Sequence, residues 1–375
     1  MIYLDHAATS PTLQCAKVAF NAVSATIWGN PNSIHSFGQD ARKTLESSRE
    51  VVAQCLGCEP DQVFFVPSAT EACRIALAIM VEKCRFVTAS LVEHLAVTSI
   101  TDYMVPIIRT GNKLRGAAHI CTNNETGKIY DLGKDFLGYD VKFSDCTAAI
   151  GKQKINFRSS GIDFICGSGH KIGAPVGIGV LIAKTPADIT ERFHFGTPSV
   201  PLAAAFASAL EFRTKEIDLF AGVTEFLHDR LIDGIMNEIP DAQLNGCPCV
   251  GYQMEQSPYI TNVSFPGIEN HALVLRLAAD GLMVSSGAAC SSGNNEPSRV
   301  LLASGYSEER ARSAIRFSFD YKLDFDANDM GNNYGLNPER DARIIDEAVK
   351  IVAQNVREMK KISSTRDKSD FPVES

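Results

Sequence analysis

Short apolar runs bounded by turn residues recur along the chain and predict buried strands. They lie at residues 63–66, 85–88, 117–121, 141–145, 164–166 and 177–182. Apolar positions at helical spacing predict helices over residues 37–56 and 72–82, a long helix from Ile217, and a last one from Pro338 to near Lys361. Gly57 is expected to end the first of these helices. In an open α/β sheet, ligands bind where the strands end, so the residues that follow each run are the first candidates for a site.

Hydroxyl side chains open the helix that follows the strand at residues 63–66. Ser68 and Glu71 have the spacing of a capping box, and Thr70 adds a second hydroxyl beside the free amides of the first turn. A helix N-terminus that follows a strand is a suitable place for an anion such as phosphate. An ordinary helix cap without any ligand explains the same pattern.

A lysine and an aspartate stand at the ends of two other predicted strands. Lys171 lies in a glycine-containing turn between two apolar runs, where small neighbours let another molecule approach the backbone. Asp145 ends the run at 141–145 on an otherwise apolar face, where a carboxylate needs a cationic partner. For Lys171 alone, a solvated lysine is the simpler explanation. Together with Cys290 in the small-residue loop at 285–293, the pair indicates pyridoxal phosphate chemistry that ends on a thiol.

The composition is that of an ordinary globular protein of two or three structural units. Of the 375 residues, 45% are hydrophobic and 21% are charged, so the chain can bury a large core. The formal net charge of −8 disfavours a general nucleic-acid-binding or anionic-membrane surface. Neither a signal-peptide pattern nor a bilayer-spanning apolar stretch is found. We therefore expect a cytoplasmic protein that binds no membrane and, directly, no nucleic acid.

Eleven cysteines, an odd number, indicate a reducing compartment with mostly buried thiols instead of a disulfide framework. Two close pairs have metal-like spacing but lack a second pair of ligands: Cys55 with Cys58, and Cys247 with Cys249. The acidic stretch from Asp324 resembles a calcium loop, yet Asp329 and Gly335 stand where that loop requires glycine and glutamate. The sequence therefore predicts no metal site.

Several short motifs are spread in order over most of the chain. They lie at residues 3–9, 29–31, 68–71, 93–94, 123–125, 168–171, 262–265, 285–290, 296–298 and 315–318. Together they resemble the motifs of the cysteine desulfurase family, in the class V aminotransferase group of fold type I pyridoxal phosphate enzymes. A set of motifs in one order is a specific signal, whereas any one of them is weak.

The resemblance implies the α/β architecture of fold type I, with a mainly parallel seven-stranded sheet in the larger domain. Residues 12–218 are expected to form this cofactor-binding domain. Residues 1–11 and 219–362 are expected to form a smaller α+β domain that carries the Cys290 loop, and residues 363–375 a disordered tail.

The resemblance also assigns roles to individual residues. Lys171 is expected to hold pyridoxal 5'-phosphate as a Schiff base, Asp145 to pair with its pyridinium nitrogen, and His94 to stack on its ring. The other expected cofactor-binding residues are Ala69, Thr70, Asn124, Ser168, His170 and, from the neighbouring subunit of a homodimer, Thr197. Asn124 is expected to touch the ring hydroxyl or the substrate. Arg316 is expected to clamp the substrate carboxylate, as the guanidinium fork suits.

The implied reaction converts L-cysteine to L-alanine and passes sulfur, as a persulfide on Cys290, to an acceptor protein. A selenocysteine lyase or another class V enzyme is the alternative, although an aminotransferase needs no loop thiol. A degenerate, non-catalytic scaffold is a further alternative.

Four departures from the family pattern mark a divergent member, and the first two of them motivate the scaffold alternative. Ala148 stands where the family has glutamine, and residues 191–195 replace a glycine- and arginine-rich run before Thr197. The interval from His94 to Asn123 is about twenty residues shorter than typical. The Asp-rich stretch after Arg316 resembles an insertion.

Overall fold

The computed structural model describes residues 1–101, 114–193, 196–246, 256–287, 296–320, 323 and 337–366. Its strands are β1 (Ile2–Tyr3), β2 (Val63–Val66), β3 (Phe86–Ala89), β4 (Arg115–Ala118), β5 (Val141–Asp145), β6 (Phe164–Ser168), β7 (Gly179–Ala183), β8 (Gln243–Asn245), β9 (Ile260–Ser264), β10 (Leu282–Met283) and β11 (Ala314–Ser318). Its helices are α1 (Gln14–Thr26), α2 (Ser36–Leu56), α3 (Ala69–Lys83), α4 (Leu95–Thr101), α5 (Leu132–Asp135), α6 (Phe157–Ser160), α7 (Ala187–Thr190), α8 (Val200–Lys215), α9 (Ile217–Glu238), α10 (Asn270–Ala279), α11 (Arg299–Ala303), α12 (Glu308–Arg312) and α13 (Pro338–Arg366).

The chain divides into two compact units. The small unit comprises Met1–Ala8, Glu125–Lys128 and Ala221–Ser375, and the large unit comprises Thr9–Asn124 and Ile129–Phe220. Helix α9 begins in the large unit and continues into the small one.

The large unit is built on a sheet with the strand order β2-β7-β6-β5-β4-β3. Strands β3 to β6 are parallel, whereas β7 is antiparallel to both β6 and β2. Strand β2 therefore runs in the same direction as β6, and five strands end at one edge of the sheet. Helix α3 packs its buried face, including Ile75, Leu77 and Met80, against this sheet. Because apolar helices cover the parallel strands, the sequences of those strands are short continuous apolar runs.

Local sequence signals account for the ends of the large unit's helices. Gly57 follows α2 in the left-handed conformation, with φ of 66°, as predicted for a helix-ending glycine. Ser68 precedes α3, and its hydroxyl accepts a hydrogen bond from the Glu71 amide at 3.2 Å. Phe37, one of the apolar positions at helical spacing that predict α2, has a side chain that is 50% exposed.

The small unit contains a three-stranded antiparallel sheet in the order β11-β9-β8 and a parallel pair of β1 with β10. Its core gathers apolar side chains from these strands and from α9, α10 and α13, among them Leu231, Phe265, Leu277, Phe317 and Val352. Leu4 belongs to the same core, so the N-terminal segment is part of this unit although most of the unit comes from the C-terminal half.

Two predicted features differ from the structure. The large sheet has six strands among the described residues instead of seven, and residues 102–113, in the shortened interval, lie outside the described part. Helix α13 continues to Arg366, into the segment predicted as a tail, because neither glycine nor proline interrupts residues 362–366. In the part of the chain that the structure describes, no helix has the length and apolarity that crossing a membrane requires.

Candidate active site

Most of the predicted site residues lie at the edge where the five co-directional strands of the large unit end. Ser68, Ala69 and Thr70 follow β2, His94 follows β3, and Asn124 follows β4. Asp145 is the last residue of β5 and Ser168 the last of β6, with His170 and Lys171 in the 3-10 turn Gly169–Lys171 directly after it. The topology therefore brings to one edge residues that are up to about one hundred positions apart in the sequence.

Asp145 is buried, and only one of its carboxylate oxygens is satisfied by the protein. Its Oδ1 accepts the Thr147 amide at 2.9 Å and the Cys166 thiol at 3.4 Å. No described residue donates to Oδ2, and no described cationic side chain pairs with this carboxylate. The cationic partner expected for Asp145 from the sequence is therefore not found among the described residues. A protonated ring nitrogen fits this vacant acceptor.

The turn that carries Lys171 is held by backbone hydrogen bonds on both sides. The Gly169 amide donates to Ile178 O at 2.9 Å, and the Ser10 amide donates to His170 O at 2.9 Å. Burial, and then the charge of Lys171, lower the pKa of His170 to about 4. The His170 imidazole is therefore neutral at pH 7 and carries a single N–H donor.

The start of α3 forms a close-packed anion cradle beside β7. A Cβ atom at Gly179 would lie 2.9 Å from Ser68 C and 3.0 Å from Ala69 N, so only glycine lets the strand approach this helix end. Thr70 is exposed in the first turn. A 15-residue helix with free amides at its N-terminus favours an anion there.

His94 and its neighbour Glu93 occupy the end of β3. The Ala96 amide donates to His94 Nδ1 at 3.1 Å, which leaves the proton of a neutral imidazole on Nε2. Glu93 is buried and accepts the Ile120 amide at 2.6 Å. Burial, and then the negative charge of Asp145, raise the pKa of Glu93 to about 8, so it is mostly protonated at neutral pH.

Thr197 lies apart from the other predicted cofactor residues, on the exposed surface just before α8. Together with Trp28, Asn30 and Val200 it lines a cavity of about 330 Å³. Asn124 is buried at the last position of the large unit's first segment.

In the small unit, Arg316 is almost fully buried at 1% exposure and lies in the middle of β11. Its Nη2 donates to Asp5 Oδ1 at 2.9 Å. Asp5 also lines a cavity of about 450 Å³ with His271, Leu275 and Ser285. This ion pair orients the guanidinium, whose planar fork of donors suits the binding of a carboxylate.

The loop that contains Cys290 is anchored at both of its described ends. The Arg316 amide donates to Ser285 O at 2.7 Å, so the start of the loop is fixed to β11. The Ser298 hydroxyl donates to Glu125 Oε2 at 2.5 Å, and a Cβ at Gly287 would lie 3.3 Å from the same oxygen. Cys290 itself, the predicted nucleophile, lies outside the described residues, as do Cys247, Cys249 and the acidic stretch at 324–336.

Comparison with known proteins agrees with this arrangement. The family model of the class V aminotransferases matches residues 2–129, 120–189 and 185–327. An IscS-like cysteine desulfurase of Mycobacterium tuberculosis is 31% identical, over 86% of this chain and 92% of that protein. A cysteine desulfurase of Nostoc sp. is 32% identical, over 85% of this chain and 88% of that protein. The chain belongs to the cysteine desulfurase family.

The fold of a solved structure matches as well. A NifS-like protein from Rickettsia africae superimposes with a TM-score of 0.76, covering 94% of this chain and 99% of that one at 23% identity. The predicted fold type I architecture is thereby confirmed.

Two departures from the family pattern have a visible structural setting. Ala148 is buried in the turn after Asp145 and brings no polar group to the edge of the sheet. Arg192, the arginine of the altered run, donates to Glu82 at 3.1 Å near the far end of α3. It is therefore engaged away from the helix N-terminus that forms the anion cradle.

Several contacts at the site of this cysteine desulfurase family member were not foreseen from the sequence. They involve Asp5, Cys73, Glu93, Glu125 and Cys166. Three of the motifs contain Asp5, Glu93 and Glu125, but the motifs alone do not say what these side chains touch. Cys166 pairs directly with Asp145 in the strand register, a relationship that only the sheet order reveals.

Proposed function

We propose that this protein is a pyridoxal phosphate-dependent cysteine desulfurase, which takes sulfur from L-cysteine, releases L-alanine and passes the sulfur to an acceptor protein. The single observation that carries the proposal is the set of Lys171, Asp145 and the start of α3 at one edge of the sheet. A lysine, a carboxylate with one vacant oxygen and an anion cradle are the three groups that this cofactor requires.

The residues that would bind the cofactor follow from the family resemblance and from the chemistry of their side chains. Lys171 would bind its aldehyde carbon covalently, Oδ2 of Asp145 would accept from its ring nitrogen, and His94 would stack on its ring. The first turn of α3, with Ala69 and Thr70, receives the phosphate together with Ser168 and the neutral His170. Asn124 contacts the ring hydroxyl or the substrate.

When bound, the cofactor draws electrons away from the substrate's α-carbon. Asp145 keeps the ring nitrogen protonated, which sustains that withdrawal. Lys171 Nζ would act as the base that takes the proton from the α-carbon. A mostly protonated Glu93 adds no second negative charge beside Asp145.

The small unit supplies the sulfur-accepting chemistry. Arg316, whose guanidinium is oriented by Asp5, would bind the L-cysteine carboxylate. The Sγ thiolate of Cys290 attacks the substrate sulfur, so that an S–S bond forms as the C–S bond breaks. The electron pair of the broken bond stays with carbon, which takes up protons and leaves as alanine. The persulfide on Cys290 then passes its outer sulfur to the acceptor protein's thiol.

We infer that the enzyme works as a homodimer in which Thr197 reaches the phosphate bound by a second copy. Apolar side chains are exposed at the cavity that Thr197 lines: Trp28, in its lining, is 70% exposed, and Phe37, whose ring contacts that of Trp28, is 50% exposed. Such a patch is typical of a subunit interface. A dimer in sedimentation analysis supports this assignment, and a monomer that is fully active contradicts it.

The test of the proposed function is alanine released from L-cysteine by the pyridoxal phosphate-loaded protein with a thiol reductant. Wild type is compared with Lys171→Ala and Cys290→Ala, and with Cys84→Ala as a buried-cysteine control. We expect alanine from wild type and the control only. Faster turnover of L-selenocysteine, insensitive to Cys290→Ala, supports a selenocysteine lyase instead. Cofactor binding without turnover of either substrate supports the scaffold alternative.

A further inference from the structure

Two buried thiols stand next to the carboxylate that faces the cofactor's ring nitrogen. Cys166 in β6 is the register partner of Asp145 in β5, and its Sγ lies 3.4 Å from Asp145 Oδ1. Cys73 in α3 lies behind it, with a Sγ–Sγ distance of 3.7 Å. All three side chains are buried, and Cys73 and Cys166 belong to the same apolar core.

Because each thiol carries one proton, the donor and the acceptor in each of these contacts can be assigned. A thiol has a single proton, and a carboxylate is the strongest acceptor within reach of Cys166. Cys166 therefore donates to Asp145 Oδ1. Cys73, and the Thr147 hydroxyl at 3.9 Å, then donate to the Cys166 sulfur. Burial first, and then the Cys73 contact, raise the pKa of Cys166 well above its usual value, so this thiol keeps its proton.

The contacts determine which carboxylate oxygen remains available. Oδ1 already accepts the Thr147 amide at 2.9 Å and the Cys166 thiol, whereas no described residue donates to Oδ2. A rotation of the carboxylate would break both bonds to Oδ1. We propose that Cys166, oriented by Cys73, is a positioning residue that keeps Oδ2 of Asp145 turned toward the cofactor's ring nitrogen. This inference rests on the proposed function, because it requires pyridoxal phosphate as the ligand.

The experiment measures equilibrium binding of pyridoxal 5'-phosphate and the pH titration of the bound cofactor's visible absorbance band. Four variants are compared with wild type under reducing conditions: Cys166→Ala, Cys166→Ser, Cys73→Ala and Cys84→Ala. Cys84 is buried in the same core but lies away from Asp145, so it controls for lost volume. If Cys166→Ala is unstable, Cys166→Val takes its place, because valine fills the space without a donor.

We expect Cys166→Ala to weaken cofactor binding by about five- to tenfold, the effect of losing one hydrogen bond to a charged group. The midpoint of its absorbance titration should rise. A carboxylate that has turned away holds less positive charge on the ring, which raises the pKa of the lysine nitrogen joined to it. Cys166→Ser retains a donor and should match wild type within about twofold, and Cys73→Ala should lie between the two.

Three results would overturn the inference. In the first, Cys166→Ala matches Cys84→Ala in both affinity and titration midpoint, which leaves Cys166 a packing role only. In the second, the purified protein holds a stoichiometric metal that Cys166→Ala loses, since the ligand atoms of Cys73, Asp145 and Cys166 lie within 4.8 Å of one another. In the third, wild type does not bind the cofactor at all, and then the proposed function fails with it.

Discussion

The two units hold their candidate functional residues in different ways. In the large unit, the functional side chains sit on the ends of strands, and neighbouring strands fix them through short contacts such as that of Cys166 with Asp145. In the small unit, Arg316 is fixed by an ion pair with Asp5, and the two described ends of the Cys290 loop are held by β11 and by Glu125.

This difference corresponds to the two tasks in the proposed reaction. A cofactor ring must be held rigidly, and strand ends provide rigid anchoring points. A thiol that collects sulfur from one molecule and delivers it to another must travel, so a loop with fixed ends suits it. Substitutions in the large unit should therefore change the cofactor's properties, and substitutions in the small unit should change substrate handling while the cofactor's spectrum stays constant.

The largest effect is expected from Asp145→Asn. An amide that faces the ring nitrogen no longer stabilises its proton, and we expect kcat/KM for L-cysteine to fall by about 1000-fold, or ~4 kcal/mol. Steady-state alanine release and the cofactor's absorbance spectrum measure the change. Asp163→Asn is the matched control, because Asp163 precedes β6 at the opposite edge of the sheet and accepts the Lys142 amide at 2.9 Å. Equal losses in both variants would mean general damage to the sheet.

A smaller loss is expected from Arg316→Lys in the small unit. Lysine keeps the charge but loses the fork that binds a carboxylate at two points, so kcat/KM should fall by about 100-fold, mainly through KM. The cofactor spectrum should match that of wild type. Asp5→Asn should raise KM by only about tenfold, since it loosens the guanidinium without removing it. A changed cofactor spectrum in either variant would contradict the separation of tasks.

Glu93→Gln should alter the pH dependence of stability. The pKa of Glu93 is about 8 in the folded protein, against 4.5 as the ordinary value. Between these values the folded state keeps a proton that the unfolded state has lost, so the free energy of unfolding falls as pH rises through this window. The glutamine variant lacks this pH dependence. Its free energy of unfolding, relative to that of wild type, should therefore rise by up to ~1.4 kcal/mol per pH unit.

Urea unfolding at pH 5 to 8 measures the effect of Glu93→Gln. Glu50→Gln, at an exposed position of α2, is the matched control and should follow wild type. If wild type and Glu93→Gln show parallel curves over this range, Glu93 is ionised in the folded protein and adds a second negative charge beside Asp145.

The smallest effect is expected from Ser298→Ala, which removes the hydroxyl that donates to Glu125 at the end of the Cys290 loop. We expect a loss of about 1–2 kcal/mol in the stability of the small unit, because a buried carboxylate loses a donor. Thermal unfolding measures it. Ser304→Ala is the control, because the Ser304 hydroxyl donates to Val300 O within the same helical segment. An unchanged midpoint for Ser298→Ala would show that Glu125 does not anchor the loop.

Local sequence signals predicted the helix ends, strand ends and turns that carry the site residues, but not the contacts among these residues. The cap at Ser68, the glycine at Gly57, the strand end at Asp145 and the turn at Lys171 depend on neighbours within a few residues, and each was predicted correctly. Contacts such as Asp5 with Arg316 and Glu125 with Ser298 join residues 311 and 173 positions apart. They depend on strand order and packing, which periodicity does not encode.

The apolar spacing of α2 predicts the helix, but it does not by itself determine which of the apolar side chains are buried. Phe37 fits the apolar spacing of α2 but is half exposed, beside the exposed Trp28 with which its ring is in contact at 4.7 Å between centroids. Periodicity reports which residues share a face, and not whether that face meets the protein's own core or a second molecule.

The central claim is that the large unit activates L-cysteine and the small unit removes its sulfur. The most direct measurement is a single turnover with L-cysteine, quenched and analysed by mass spectrometry for sulfur on each cysteine and for alanine released. We predict one extra sulfur atom on Cys290, equal in amount to the alanine formed, and neither in Lys171→Ala. Alanine formed without sulfur on Cys290, or sulfur on another cysteine in Cys290→Ala at an undiminished rate, would contradict the account.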